Sequence, residues 1–408
     1  MAVRSWLALL VFIPACALIA PPAPPPTGSP SADRFAPGPF AVASRDYTFV
    51  DSSRPSPADR APRMLVTTVW FPVDAPGPHP LVLYSHGFLG NRFGGRYLAK
   101  YLASRGYVVA APDHPFTRRW APGGPRVEDV VNQPADLQLV IDRLLGWGAS
   151  DRPFLGAIDP ARIGVMGLSL GGMTATMIAF DPQRRDPRIA AVVSIAGPLA
   201  LFGSPYFAGP PVPFLMIAGD ADVVIDYAAN APLAIERVPG GTLVSIAGAS
   251  HVGFDDTATG IPRLFGDPDR FACWWLKLTL DVELGAALLA GLDETVSGTL
   301  LPAAMPLPCR ESAACSAMSA KRQHAITTLA VGAFFDSRLS ADPTIRARAA
   351  RYLAHDIAHD FPEVRYATAS PCRAVRESQD RVGSSLATRP AGRAFPQTPL
   401  RSRVGSAP

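Results

Sequence analysis

Gly167-Leu168-Ser169-Leu170-Gly171-Gly172 follows the apolar run Arg162-Ile163-Gly164-Val165-Met166 and precedes Met173-Thr174-Ala175-Thr176-Met177-Ile178-Ala179-Phe180. The first flank reads as a buried strand and the second as a helix. A G-x-S-x-G pentapeptide is common by chance, and a structural Gly-Ser turn is its competing reading. Between a strand and a helix it has a sharper one. The serine sits on a tight, strained turn with its hydroxyl exposed above a sheet, as a nucleophile must be. Bulk at Gly167 or Gly171 would collide with the neighbouring strand and helix, so both positions favour a residue without Cβ.

Strand-like and helix-like segments alternate around this turn. Residues 40–50 and 64–71 read as an antiparallel opening pair. Pro80-Leu81-Val82-Leu83-Tyr84-Ser85, Tyr107-Val108-Val109-Ala110-Ala111, residues 189–195, 212–218 and 242–246 read as further strands. Residues 96–103 and 127–145 have helical spacing, with Val130, Leu137, Val140, Ile141 and Leu144 on one face of the second. Strands without polar alternation, separated by helices, indicate an α/β fold with a mostly parallel sheet covered on both faces. Residues 252–320 break the rhythm and read as an insertion packing over the site. A strong helix at 323–339 and another near 345–359 complete a domain spanning 40–360.

A serine hydroxyl is a weak nucleophile at neutral pH; it needs a base within hydrogen-bond reach and an acid to orient that base. Past the strand ending Ala218-Gly219 stands Asp220-Ala221-Asp222. Asp222 is the acid candidate, and Asp220 competes for the role, although an aspartate there also shapes turns. His251, after Gly248-Ala249-Ser250 and the last predicted strand, is the base candidate. The chain order Ser169, Asp222, His251 fits a nucleophile elbow. Two backbone amides must face the developing oxyanion. The amide of Leu170 is one candidate, and that of Phe88, in the loop Ser85-His86-Gly87-Phe88-Leu89-Gly90, is the other. His86 precedes the serine and reads as a packing or bonding residue of that loop. The pair His355 and His359 lacks the glutamate of H-E-x-x-H and reads as a surface face. No metal site, phosphate loop or dinucleotide fingerprint is present in the sequence, and no cofactor is expected.

These residues resemble a known group. Tyr84-Ser85-His86-Gly87-Phe88, the elbow, Asp186-Pro187-Arg188-Ile189, Gly219-Asp220-Ala221-Asp222 and Gly248-Ala249-Ser250-His251 are similar to segments of α/β-hydrolase superfamily serine esterases. Within these, the likeness is to bacterial secreted enzymes near platelet-activating factor acetylhydrolase, in a wider set that includes dienelactone hydrolase-like and polyester-hydrolase enzymes. Arg322-Gln323-His324 and the helix behind it resemble that group's closing helix. The resemblance covers about residues 40–350. It implies the α/β-hydrolase fold, carboxylic-ester hydrolysis through an acyl-enzyme, triad roles for Ser169, Asp222 and His251, and oxyanion roles for Phe88 and Leu170. Dienelactone hydrolases proper use cysteine where this chain has Ser169.

The ends of the chain speak to location. Residues 1–20 carry Arg4 and a short apolar stretch, too short to span a bilayer, and read as a secretory signal. Ile13-Pro14-Ala15-Cys16 resembles a lipoprotein box, which would lipidate Cys16 and attach the protein to a membrane; cleavage after Ala17 would release it. An uncleaved anchor is a third option, and each reading gives a secreted or cell-envelope protein. Residues 21–39 read as a Pro-rich spacer, and 369–408 as a solvated, disordered tail. Excluding Cys16, four cysteines remain (Cys273, Cys309, Cys315, Cys372), an even count that suggests two disulfides with three pairings open. All lie after residue 270, so bridges are expected to staple the C-terminal part and leave the catalytic core alone.

The chain has 408 residues, 48% of them apolar, and a net charge of +4. That is enough for a sizeable core, and there is no basic stripe with interleaved aromatics to bind nucleic acid. The expected protein is a monomer acting on short-acyl or lipid-like esters, with Phe254, Trp274 and Trp275 as apolar material near the site. Two alternatives stand beside it: a polyester- or cutin-type hydrolase, and a non-catalytic envelope protein that kept the hydrolase shell.

Overall fold

A computed structural model describes residues 25–55, 60–260, 268–279, 309 and 317–369. The stretch read as a secretory signal, that read as a tail beyond Ala369, most of the 252–320 stretch read as an insertion, and Cys16, Cys315 and Cys372 lie outside these residues. Among the described residues nine strands, numbered along the chain with the ranges that follow, form one sheet in the order β1-β2-β4-β3-β5-β6-β7-β8-β9. Strands β1 (Val42–Asp51) and β2 (Arg63–Pro72) are the antiparallel opening pair, and β2 also runs antiparallel to β4 (Val108–Pro112). From there β4, β3 (His79–Ser85), β5 (Ile158–Leu168), β6 (Ile189–Ile195), β7 (Phe214–Gly219) and β8 (Thr242–Ile246) are parallel neighbours. Strand β9 (Val364–Thr368) closes the edge antiparallel to β8.

The parallel strands send alternate residues to opposite faces. Leu81, Leu83, Ile163, Val165 and Val192 join α3 (Gln133–Leu145) and α4 (Leu170–Phe180) in one core layer. Val82, Tyr84, Met166, Leu168 and Val193 join α2 (Arg96–Ala103) and α8 (Ala320–Leu339) in the other. Both layers are apolar, so the strands carry no polar alternation. This is the α/β-hydrolase architecture. The remaining helices include α1 (Pro30–Phe35), the single turns α5 (Tyr227–Asn230) and α6 (Leu233–Glu236), α7 (Pro268–Thr279) and α9 (Pro343–Arg351).

Four local readings change. The single helix expected over 127–145 is a 3-10 segment, Val127–Asn132, followed by α3. Pro134 explains the break, because it donates no N–H and its ring crowds the carbonyl a turn earlier. Within the stretch read as a spacer, Pro30–Phe35 is helical and docked. The Ser31 amide donates to Asp360 Oδ2 at 3.0 Å, the Ser31 hydroxyl meets the Tyr352 hydroxyl at 2.7 Å, and Arg34 pairs with Asp336. Inside the insertion, Pro268–Thr279 is a regular helix. Strand β9 was not expected at all.

Candidate active site

The parallel strands set the geometry. Loop 85–90 follows β3, Ser169 follows β5, Asp222 follows β7 and His251 follows β8. Because these strands run in one direction, all four loops leave the same edge of the sheet, where α/β folds place their sites.

Ser169 is held in a conformation that L-residues rarely adopt, with φ 56° and ψ −119°. Its amide donates to the Ile195 carbonyl at 2.8 Å, which pins the turn to the end of β6. The turn is possible only because two glycines flank it. A Cβ on Gly167 would stand 2.1 Å from the Gly171 carbonyl oxygen, and one on Gly171 would stand 2.0 Å from the Ser85 oxygen. From Ile163 to Phe180 every residue is buried except Ser169, which is half-buried. The strain therefore lifts one hydroxyl out of a closed core.

Asp222 is buried, and its two oxygens have different tasks. Oδ1 accepts the amides of Val224 at 2.8 Å and Ile225 at 2.7 Å, which fixes the carboxylate to its own loop. Oδ2 meets His251 Nδ1 at 2.7 Å. An ionised carboxylate only accepts, so Nδ1 carries the proton and the Nε2 lone pair of a neutral imidazole is left for other work. Asp220, the competing acid, instead accepts the Gly248 amide at 2.6 Å and braces the base loop. Acid and base loops also touch directly: a Cβ on Gly219 would lie 2.1 Å from the Ala249 oxygen, and the Ala221 amide donates to that oxygen. Burial alone would lower the His251 pKa. The Asp222 carboxylate, with Asp269 and Asp255 behind it, outweighs burial and holds it above its ordinary value.

The loop after β3 lies against the elbow. A Cβ on Gly87 would be 3.3 Å from both Leu168 O and Ser169 Cβ. Phe88 is half-buried, and its amide finds no backbone acceptor among the described residues. Leu170 opens α4, so its amide has no carbonyl a turn earlier to bond. Both candidate oxyanion donors are thus uncommitted amides flanking Ser169.

His86 is fully buried. Its Nε2 accepts the His114 amide at 3.0 Å, so its proton resides on Nδ1, which donates to the Gly87 oxygen at 2.8 Å. Burial, reinforced by His114, lowers its pKa to about 3. It therefore holds the loop and is no base. His114 links onward to Ser85 Oγ at 2.9 Å and to Asp136 at 3.0 Å. Arg63 in turn bridges Asp136 and Asp129.

His324 is buried, stacks on Tyr97 at 3.9 Å and bonds the Asp255 oxygen, while His355 and His359 are exposed. No metal-binding cluster occurs among the described residues. Phe254, expected beside the substrate, is 2% exposed and packs into the core. Trp274 is exposed on α7, and the Trp275 side chain lies outside the description.

Three groups around His251 were not anticipated from the sequence. Gln323 clasps Ser250, donating to its carbonyl at 2.7 Å and accepting its amide at 3.2 Å. Asp269 accepts the amides of His251 at 2.8 Å, Val252 at 2.7 Å and Val223 at 3.3 Å. Cys309 forms a disulfide with Cys273 and donates its amide to the Val223 oxygen at 2.8 Å. This corrects the expectation that disulfides leave the catalytic core alone: the bridge ends beside the loop of Asp222.

Comparison with known proteins agrees with this architecture. A curated relative named "Putative esterase NocK", from Nocardia uniformis subsp. tsuyamanensis, is 30% identical over 240 residues; the alignment covers 54% of this chain and 64% of that protein, so the chain spans just under two thirds of its relative. A solved structure of a ferulic acid esterase from Streptomyces cinnamoneus superposes with a TM-score of 0.52 at 24% identity, covering 80% of this chain and 96% of that one, a likeness of fold. The sequence pattern of the PET hydrolase-like family matches residues 35–283, more than half of the chain. With the elbow, the parallel sheet and the shared edge all in place, the chain belongs to the PET hydrolase-like family of α/β-hydrolases.

Proposed function

We propose that this protein is a serine carboxylic-ester hydrolase with Ser169 as nucleophile, His251 as base and Asp222 as the orienting acid. Ser169 Oγ attacks the ester carbonyl while His251 Nε2 takes its proton. The amides of Phe88 and Leu170 receive the oxyanion. The imidazolium then protonates the leaving alcohol, and water, activated by the same imidazole, releases the acyl group. The observation that supports this reading is that one lifted hydroxyl in a closed core and a buried imidazole already bonded to a carboxylate through Nδ1 stand on loops at the same strand ends of the sheet. The family match supports the ester chemistry.

The reading extends to an exported monomer acting on short-acyl or lipid-like esters, anchored through Cys16 or released after Ala17; a mass spectrum of the mature protein distinguishes the two. A polyester substrate is the second reading, favoured by the PET hydrolase-like match. A p-nitrophenyl ester series from C2 to C12, run beside a polymer film, separates the substrates. Ser169→Ala should abolish turnover and labelling by a fluorophosphonate. Equal rates in the two proteins would remove the mechanism, and an unlabelled, inactive wild type would favour a non-catalytic hydrolase shell.

A further inference from the structure

We propose that Asp269 is a positioning residue that locks the acid and base loops together and adds negative charge behind His251, with the Cys273–Cys309 disulfide tying to its helix a residue whose amide also holds the acid loop. The inference rests on the catalytic roles proposed above for His251 and Asp222. Asp269 lies in the first turn of α7 and is fully buried. Its Oδ2 accepts the His251 and Val223 amides, and its Oδ1 accepts that of Val252. One carboxylate thus holds three amides drawn from two loops that are 28 residues apart in sequence at the closest.

The Val223 peptide, next to Asp222, is held at both ends: its N–H by Asp269 and its oxygen by the Cys309 amide. Cys309 is bonded to Cys273, four residues beyond Asp269 and so one turn along the same helix. Helix α7 therefore holds the acid loop by a side chain and by the amide of Cys309, a residue tied covalently to the helix through the bridge. The placement is electrostatically costly. Burial and repulsion from Asp222 raise the Asp269 pKa to about 6, opposed by His251 and by the amides it accepts. Among the described residues, the charged groups facing His251 include Asp222, Asp269 and Asp255, and those facing Asp269 include Asp222 and His251.

The test compares wild type, Ser169→Ala and Asp269→Asn on p-nitrophenyl butyrate between pH 5 and 9. Asparagine keeps the shape and one acceptor oxygen but loses the charge. Asp269→Asn should lower kcat at least ~10-fold with KM within about threefold, as expected when the catalytic geometry loosens and substrate binding is left alone. It should also move the acid limb of kcat/KM to lower pH by at least ~0.3 unit, because one charge that favours the imidazolium is gone. A kcat within twofold of wild type, or a reduced kcat with an unmoved acid limb, overturns the proposal. A wild type whose activity survives Ser169→Ala overturns the proposed function instead, so the two failures are separable. Amide exchange of the wild type provides a readout independent of the variant's folding. Peptides covering 222–225 and 250–253 should be protected at pH 7, and exchange at unprotected rates would overturn the clamp.

Discussion

Gly171→Ala is the sharpest test of how the elbow is built. A Cβ there would sit 2.0 Å from the Ser85 oxygen, 2.5 Å from the Ser85 carbonyl carbon and 2.8 Å from the His86 oxygen. All three are backbone atoms at the end of β3, so no side chain can rotate away. Reaching even 3.0 Å, a separation real Cβ atoms essentially never fall below, requires α4 and β3 to part by about 1 Å. The atoms that move carry the proposed chemistry: Ser169 and Leu170 on one side, and the loop to Phe88 on the other. A misplacement of about 1 Å costs on the order of 10²-fold in rate. Overpacking a tight core costs about 1–3 kcal/mol in stability. Gly209→Ala is the control, since its Cβ would meet only the far end of the Arg185 side chain at 3.3 Å. Kinetics on p-nitrophenyl butyrate and thermal unfolding would be read together. Gly171→Ala should lose about two decades in kcat and unfold several degrees lower, while Gly209→Ala stays near wild type. A Gly171→Ala enzyme with kcat within about twofold and an unchanged Tm would refute the packing account of the elbow.

Three further outcomes follow from the same contacts. Asp222→Asn should lower kcat on the order of 10³–10⁴-fold; in the wild type, kcat/KM should rise with pH through a midpoint above the usual imidazole value of about 6.5, because the carboxylates around His251 raise its pKa and the base acts when neutral. His86 is neutral when folded, its pKa lowered to about 3, so the unfolded chain binds a proton that the native state does not. Its contribution to stability is full above about pH 6.5 and declines as pH falls from there toward about 3; denaturant midpoints against pH should show that slope, and His86→Asn should flatten it. Arg63→Met leaves the buried carboxylates of Asp129 and Asp136 without their shared guanidinium, while Arg54 still pairs with Asp136, so chemical denaturation should report a loss of about 3 kcal/mol, the low end of the range for a broken buried pair.

Much of the fold was legible because its signals are local. The run Ile163 to Leu168 is buried along its whole length, which an unbroken apolar strand announces. The elbow glycines declare their own constraint, since the chain can turn there only without side chains. The order of acid and base is equally local: each stands just past an apolar strand, and strand direction carries both to one edge. Strand β9 was hidden because its signal is weak. It is a five-residue edge strand, and of its residues only Val364 is buried, so little apolar pattern marks it. The break at Pro134 could have been read from its own chemistry; the apolar face running through Val127–Leu145 concealed it.

The support around His251 was hidden for a different reason. Asp269 acts on backbone amides, and an amide has no letter in the sequence. Nothing about Val223, His251 or Val252 tells of a carboxylate 17 to 46 residues further on. The disulfide shows the same limit from the other side. Counting positions placed the cysteines beyond the catalytic segment, and the count was correct. The inference failed because residue 309 returns to within hydrogen-bond reach of residue 223. A site assembled on strand ends is readable as far as its reacting side chains, whose chemistry demands particular residue types. What fixes those side chains in place draws on any carboxylate or amide that folding brings near. The insertion, which looked from the sequence like a cover over the substrate, supplies in α7 a brace beneath the base.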